Sequence, residues 1–115
     1  MSDQDRRSIG LTGESQRLMD EIMARDWFNE QQDVARLAMA CALRAGVAPG
    51  TTPGVDTRWN SGLFDPTGEL LALVGAFHPA VTTPVRAAES LVNEGLRIVH
   101  EELVKNGRTP ADLLG

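Results

Sequence analysis

Asp33-Val34-Ala35-Arg36-Leu37-Ala38-Met39-Ala40-Cys41-Ala42-Leu43-Arg44-Ala45-Gly46 is the stretch whose reading decides the fold. It is built of good helix formers, with no proline and no glycine before its last position. Val34, Leu37, Ala38, Cys41, Ala42 and Ala45 follow the i, i+3, i+4, i+7 spacing of one buried face. Ala35, Met39 and Leu43 make the flank beside that face apolar as well. Asp33, Arg36, Ala40 and Arg44 are confined to one narrow strip. A helix this apolar is expected to be the central rod of a small bundle, touched from several sides. Asn29 is expected as its N-cap, with Gln32 three residues on completing a capping box. Gly46 ends it where a left-handed residue is needed.

Working outward, 115 residues make one domain spanning 1–115, large enough to bury roughly two-thirds of its unfolded surface. The net charge of −5 opposes a strong nucleic-acid binder, because phosphate neutralisation needs an excess of Lys and Arg. A local basic patch would escape that argument. Ten of the eleven cations are arginines, a bias that a GC-rich genome also produces. The single cysteine, Cys41, excludes an internal disulfide and falls on an apolar face, as a small core residue does. No apolar run follows Arg6 and Arg7 as in a signal peptide, and Leu37 to Leu43 is too short to span a membrane. A cytoplasmic location is the expectation.

Upstream, residues 1–7 are polar and expected to be disordered. Arg7, Ile9 and Leu11 alternate with Ser8, Gly10 and Thr12, the period of a short strand. Such a strand needs a partner, and a second copy of itself is one option. An extended lead-in with Leu11 stapled onto the first helix is the other. Thr12 then caps a helix whose buried side is Leu18, Met19, Ile22 and Met23, with Arg17, Glu21 and Arg25 as its solvated face. Downstream, 47–65 carries Pro49, Gly50, Pro53, Gly54 and Gly62 and reads as a long irregular loop, its second half packed down by Trp59 and Phe64. Asp65-Pro66 starts a third helix with Leu70, Leu71, Leu73, Val74 and Phe77, stopped at His78-Pro79. Thr83-Pro84 starts a fourth that runs to about Lys105 on the stripe Val85, Ala88, Val92, Leu96, Val99 and Leu103. Thr109-Pro110 opens a last turn with Leu113 and Leu114. The fold class expected is all-α, a small four- to five-helix bundle, with residues 8–12 as either a short N-terminal strand or an extended lead-in.

Catalytic chemistry finds no pattern here. His100 has Leu103 and Val104 where a helical metal site wants ligands, so it reads as a surface histidine. Asp20, Glu21, Glu94, Glu101 and Glu102 fall on polar helical faces, and Ser61 lacks a neighbouring base. No catalytic residue, metal or cofactor is assigned, and no small-molecule substrate is evident. Arg36 reads either as an ion-pair partner of Asp33 at i−3 or as a residue orienting the bundle against another helix or protomer. Trp59 reads either as a lid on the core or as an interface anchor.

In order, Ser8-Ile9-Gly10-Leu11-Thr12, the helix Asp33-Val34-Ala35-Arg36-Leu37-Ala38, a glycine-rich loop ending in Phe64, and the closing run Asn93-Glu94-Gly95-Leu96 through Ala111-Asp112-Leu113-Leu114 resemble the small DndE-type proteins of bacterial DNA sulfur (phosphorothioate) modification systems. The resemblance implies an all-α fold related in shape to ribbon-helix-helix proteins, and an oligomeric, non-enzymatic accessory protein associated with nicked or modified DNA and phage defence. It also implies DNA or DNA-modification proteins as partners. That family's proposed DNA contact is a lysine-rich surface, whereas this chain has only Lys105. Any DNA contact would therefore fall on Arg6 and Arg7 in the lead-in and Arg17 and Arg25 on the first helix. Two alternatives stand beside it. One is a ribbon-helix-helix regulator reading the major groove with Ser8 to Thr12; the other is a protein-binding module with no nucleic-acid contact.

Overall fold

The computed structural model describes residues 4–114, which form six helices and a two-stranded antiparallel sheet. In order these are β1 (Ser8–Leu11), α1 (Gly13–Met23), α2 (Gln31–Arg44), β2 (Asp56–Asn60), α3 (Ser61–Phe64), α4 (Glu69–Phe77), α5 (Pro84–His100) and α6 (Pro110–Leu114). A single π-helical segment, Glu101–Lys105, continues α5. The chain is thus mostly helical but not all-α. None of these helices is long and apolar enough to cross a membrane.

The central rod is α5 rather than α2. α5 packs against α1, α2, α4 and β1, and the whole stripe from Val85 to Leu103 is buried. α2 is its main neighbour. The two helices close up where Gly95 faces Ala38, and a Cβ on Gly95 would overlap the Ala38 backbone. Small residues on both sides set this approach. The face of α2 that turns inward is centred on Ala35, Ala38, Met39 and Ala42, all fully buried, so it is rotated toward the expected flank. Leu37 is only half-buried and Ala45 is exposed. Apolar periodicity fixed an inward side to within one residue's rotation, and the close contact with α5 chose the rest.

Helix ends follow local chemistry with three corrections. Thr12 caps α1 as expected, its hydroxyl accepting from the Ser15 amide at 3.0 Å. Glu30, not Asn29, is the N-cap of α2, and no side chain caps it, so the Gln32 capping box does not form. α4 begins at Glu69, four residues after Asp65. Pro66 to Gly68 make a turn closed by Gly68 at φ +79°, and the Asp65 carboxylate reaches forward to the Leu70 and Leu71 amides at 3.2 and 2.9 Å. Thr83 makes no capping bond to α5. Asp5 does it instead, accepting from the Val85 and Arg86 amides at 2.8 and 2.9 Å. The expected disorder of 1–7 therefore fails for Gln4 to Arg7, while Met1 to Asp3 lie outside the described residues.

The expected loop 47–65 supplies the partner of β1. Ser8 pairs with Asn60, Ile9 with Trp59, Gly10 with Thr57 and Leu11 with Asp56, with a bulge between Ile9 and Gly10. The strand therefore pairs within the chain and not with a second copy. Gly10 is required here because a Cβ would stand 2.7 Å from the Asp56 carbonyl oxygen.

Candidate functional site

The outer edge of β1 is covered by two polar side chains of α5. Glu89 Oε2 accepts from the Gly10 amide at 2.9 Å. Asn93 engages the groups beside it: Nδ2 donates to the Gly10 carbonyl at 3.1 Å and Oδ1 accepts from the Thr12 amide at 3.1 Å. Glu89 and Asn93 lie at i, i+4, and Asn93 Nδ2 also donates to the Glu89 carbonyl. Together they act as a third strand would. With β2 on one side and Glu89 and Asn93 on the other, the Gly10 amide and carbonyl of β1 are already engaged within the chain.

Glu89 is 1% exposed, and Arg6 reaches it with Nε at 3.2 Å from Oε2. Burial pushes the Glu89 carboxyl above its ordinary value, opposed by the Gly10 amide and by the Arg6 and Arg86 guanidiniums. A small pocket of about 260 Å³ opens beside the pair, lined by Arg6, Thr51, Thr52, Pro53, Arg86 and Glu89. Sequence reading assigned nothing to Glu89. The signal available was a carboxylate at i−4 from Asn93 that is also spaced i+4 from Val85 and i−3 from Val92, on the side of the apolar stripe.

The four arginines expected to face DNA do not act alike. Arg6 is committed to Glu89. Arg25 donates to the Val104 carbonyl at 3.2 Å, tying α1 to the end of the π segment. Arg7 and Arg17 are exposed, and neither side chain has a hydrogen-bonding or ionic partner among the described residues. Arg17 borders a cleft of about 480 Å³ shared with Glu14, Glu21, Arg97, His100, Glu101 and Lys105. Arg97 pairs there with both Glu14 and Glu94, at 3.1 and 3.2 Å. This side of the molecule is a mosaic of opposite charges.

His100 is buried, contrary to the surface reading, with Nε2 3.5 Å from Glu21 Oε1. Among the described residues no group of three or more His, Cys, Asp or Glu is arranged to hold a metal. Cys41 is buried, and burial pushes its thiol up, away from the reactive thiolate.

Arg36 makes the local ion pair with Asp33, and its other guanidinium nitrogens go to backbone carbonyls of α3, not to a carboxylate of another helix. Nη1 pairs with Asp33 at 3.1 Å, while Nε and Nη2 donate to the carbonyls of Phe64 and Leu63 at 2.9 and 3.1 Å. It thereby holds the C-terminal end of α3 against α2, where a cation also suits the helix dipole. Trp59 is buried opposite Ile9, as a lid on the core.

The least expected surface is α4. Leu70 to Phe77 is a run of apolar residues and one glycine, yet only Val74 is buried. Leu70 and Leu71 are half-buried. Leu73 is 43% and Phe77 54% exposed, and Ala72, Gly75 and Ala76 are exposed beside them. Leu63 on α3 and Trp27 in the α1–α2 turn are the other large exposed hydrophobic side chains among the described residues. Single exposed apolar residues are ordinary; a whole helix face of them marks a contact surface. Comparison with known protein families, with curated proteins and with solved structures finds no match.

Proposed function

We propose that this protein is a non-enzymatic, self-associating helical accessory module that works through protein contact. The setting we propose is the one its DndE resemblance implies, cytoplasmic DNA modification and phage defence. The observation that carries the reading is α4, a helix without a charged side chain between Glu69 and His78 that leaves most of its circumference in water. Keeping such a face exposed is unfavourable by roughly 25 cal/mol per Å² of apolar area, so covering it favours association. Sedimentation velocity at micromolar concentration tests this. A dimer or larger species is expected, and a monomer at every concentration would sink the reading.

Contact with DNA is the second reading, favoured by the free arginines Arg7 and Arg17. With Arg6 and Arg25 bound to partners of their own chain, two phosphate contacts per protomer are the expectation. The slope of log affinity against log salt should then be about −1.8 per protomer on duplex DNA. Fluorescence anisotropy with intact and nicked duplexes at several salt concentrations measures it. No retention at low salt would leave protein partners as the only route to DNA.

A further inference from the structure

Independently of the self-association reading, we propose that the hollow between α2, the end of α5 and α6 is a binding site for a small aliphatic carboxylate, held by Arg44.

The hollow follows from how the C-terminal segment packs. α6 has only five residues, and Leu113 is its hydrophobic side chain packed against the core. Space is left around that contact. One cavity of about 480 Å³ and a second of about 220 Å³ both have Cys41, Arg44 and Leu113 in their walls. The larger one is within the range of roughly 300–1,000 Å³ usual for small-molecule sites. Its apolar lining is Cys41, Ala45, Ile98 and Leu113, and Leu37 and Ala40 extend the smaller one along α2. Cys41 belongs to that lining as a neutral thiol, since burial pushes its ionisation up.

Charge decides which apolar ligand fits. Arg44, Glu102, Arg108 and Asp112 also line the larger cavity. Glu102 and Arg108 neutralise each other at 2.8 Å. The Asp112 carboxylate is taken up by the Thr109 amide and hydroxyl, at 2.8 and 3.0 Å. Arg44 is left without a carboxylate among the described residues. Its Nη1 donates to the Leu113 carbonyl at 2.7 Å, while Nε and Nη2 have no acceptor among the described residues. Leu113 thus acts as a small ligand supplied by the chain itself, an aliphatic group in the hollow with an oxygen on Arg44. A carboxylate is a stronger acceptor than that carbonyl, and its two oxygens match the Nε and Nη2 side of the guanidinium fork. An alkyl chain attached to it would then lie along Cys41, Ala45 and Ile98.

The test titrates octanoate into the full chain by calorimetry, with each variant checked for native circular dichroism and thermal midpoint. Wild type should show one saturable site with a Kd of about 1 mM or tighter. Octanol, which keeps the chain and lacks the charge, should bind about tenfold more weakly or worse. Arg44→Gln should weaken octanoate by about tenfold or more and leave octanol unchanged. Ala45→Trp, which fills the hollow from an exposed position, should abolish binding of both. Arg17→Gln, at an unpartnered arginine on α1, should change neither. No saturable octanoate binding by wild type overturns the site. Binding that survives Arg44→Gln and Ala45→Trp lies on another apolar surface such as α4, and overturns it too. Octanol binding as tightly as octanoate overturns the carboxylate as the ligand.

Discussion

α2 and α4 invert the usual relation between composition and burial. α2 carries Asp33, Arg36 and Arg44 and several alanines, yet seven of its residues are buried and it forms the main contact with the central helix. α4 is apolar at every position after Glu69 and buries one residue. The difference lies in what the neighbours can do. Alanines on α2 and Gly95 on α5 let two backbones close up, so modest side chains fill their contact completely. α4 meets α5 and α2 along one edge only, held by Val74 and the Asp65 cap, and its larger side chains have nothing opposite them. Hydrophobicity creates a tendency to be covered; geometry decides whether the same chain does the covering.

The sharpest way to break this comparison is Gly95→Ala. A methyl group has no room against Ala38, so α2 must move off α5, at a cost of about 3 kcal/mol or more in a urea titration. A loss under about 1 kcal/mol would mean that the close approach is not what organises the core. Leu96→Ala, fully buried on the same helix, should cost roughly 2–5 kcal/mol by the same measurement.

Glu89→Gln probes the polar side of the core. It keeps an acceptor for the Gly10 amide and removes both the ion pair with Arg6 and the desolvation cost of a buried charge, so the two offset and the change at neutral pH should stay within about 1 kcal/mol. Its pH dependence is more telling. The folded carboxyl titrates above its ordinary value, so in the window between the two values the folded state holds more protons than the unfolded state. Stability then falls as pH rises through that window, because charging a buried group costs desolvation. Denaturant titrations from acid to neutral pH should show this component in wild type and lose it in Glu89→Gln. Equal pH profiles would mean that Glu89 is solvated.

The smallest expected change is at α4. Leu73→Ala should alter protomer stability by no more than about 0.5 kcal/mol, measured under conditions where the chain is monomeric. A loss comparable to that of Leu96→Ala would place Leu73 inside the core and erase the contrast on which the comparison rests.

Much of the secondary structure follows from local chemistry and was legible without a fold. The Thr12 cap, the stop at Gly46, the proline at the first position of α5 and its buried stripe each depend on residues within a few positions of one another. So do the amphipathic faces, to within a small rotation. The site was less legible. Sequence spacing grouped Arg6, Arg7, Arg17 and Arg25 as one kind of residue. Glu89 and the Val104 carbonyl, 83 and 79 positions away from Arg6 and Arg25, then took two of them out of solvent service. Asp5 capping α5 and β2 pairing with β1 are invisible for the same reason, since no periodicity links residues so far apart.

What the sequence determined by itself is therefore the presence of α1, α2, α4 and α5 and their apolar sides to within a small rotation, because backbone propensity acts over one or two turns. The tertiary structure alone decided which helix is central, which arginines remain free, and that β1 is engaged by a strand and two side chains of its own chain. It also decided that the most apolar helix faces water, since burial is a property of shape matched between distant elements.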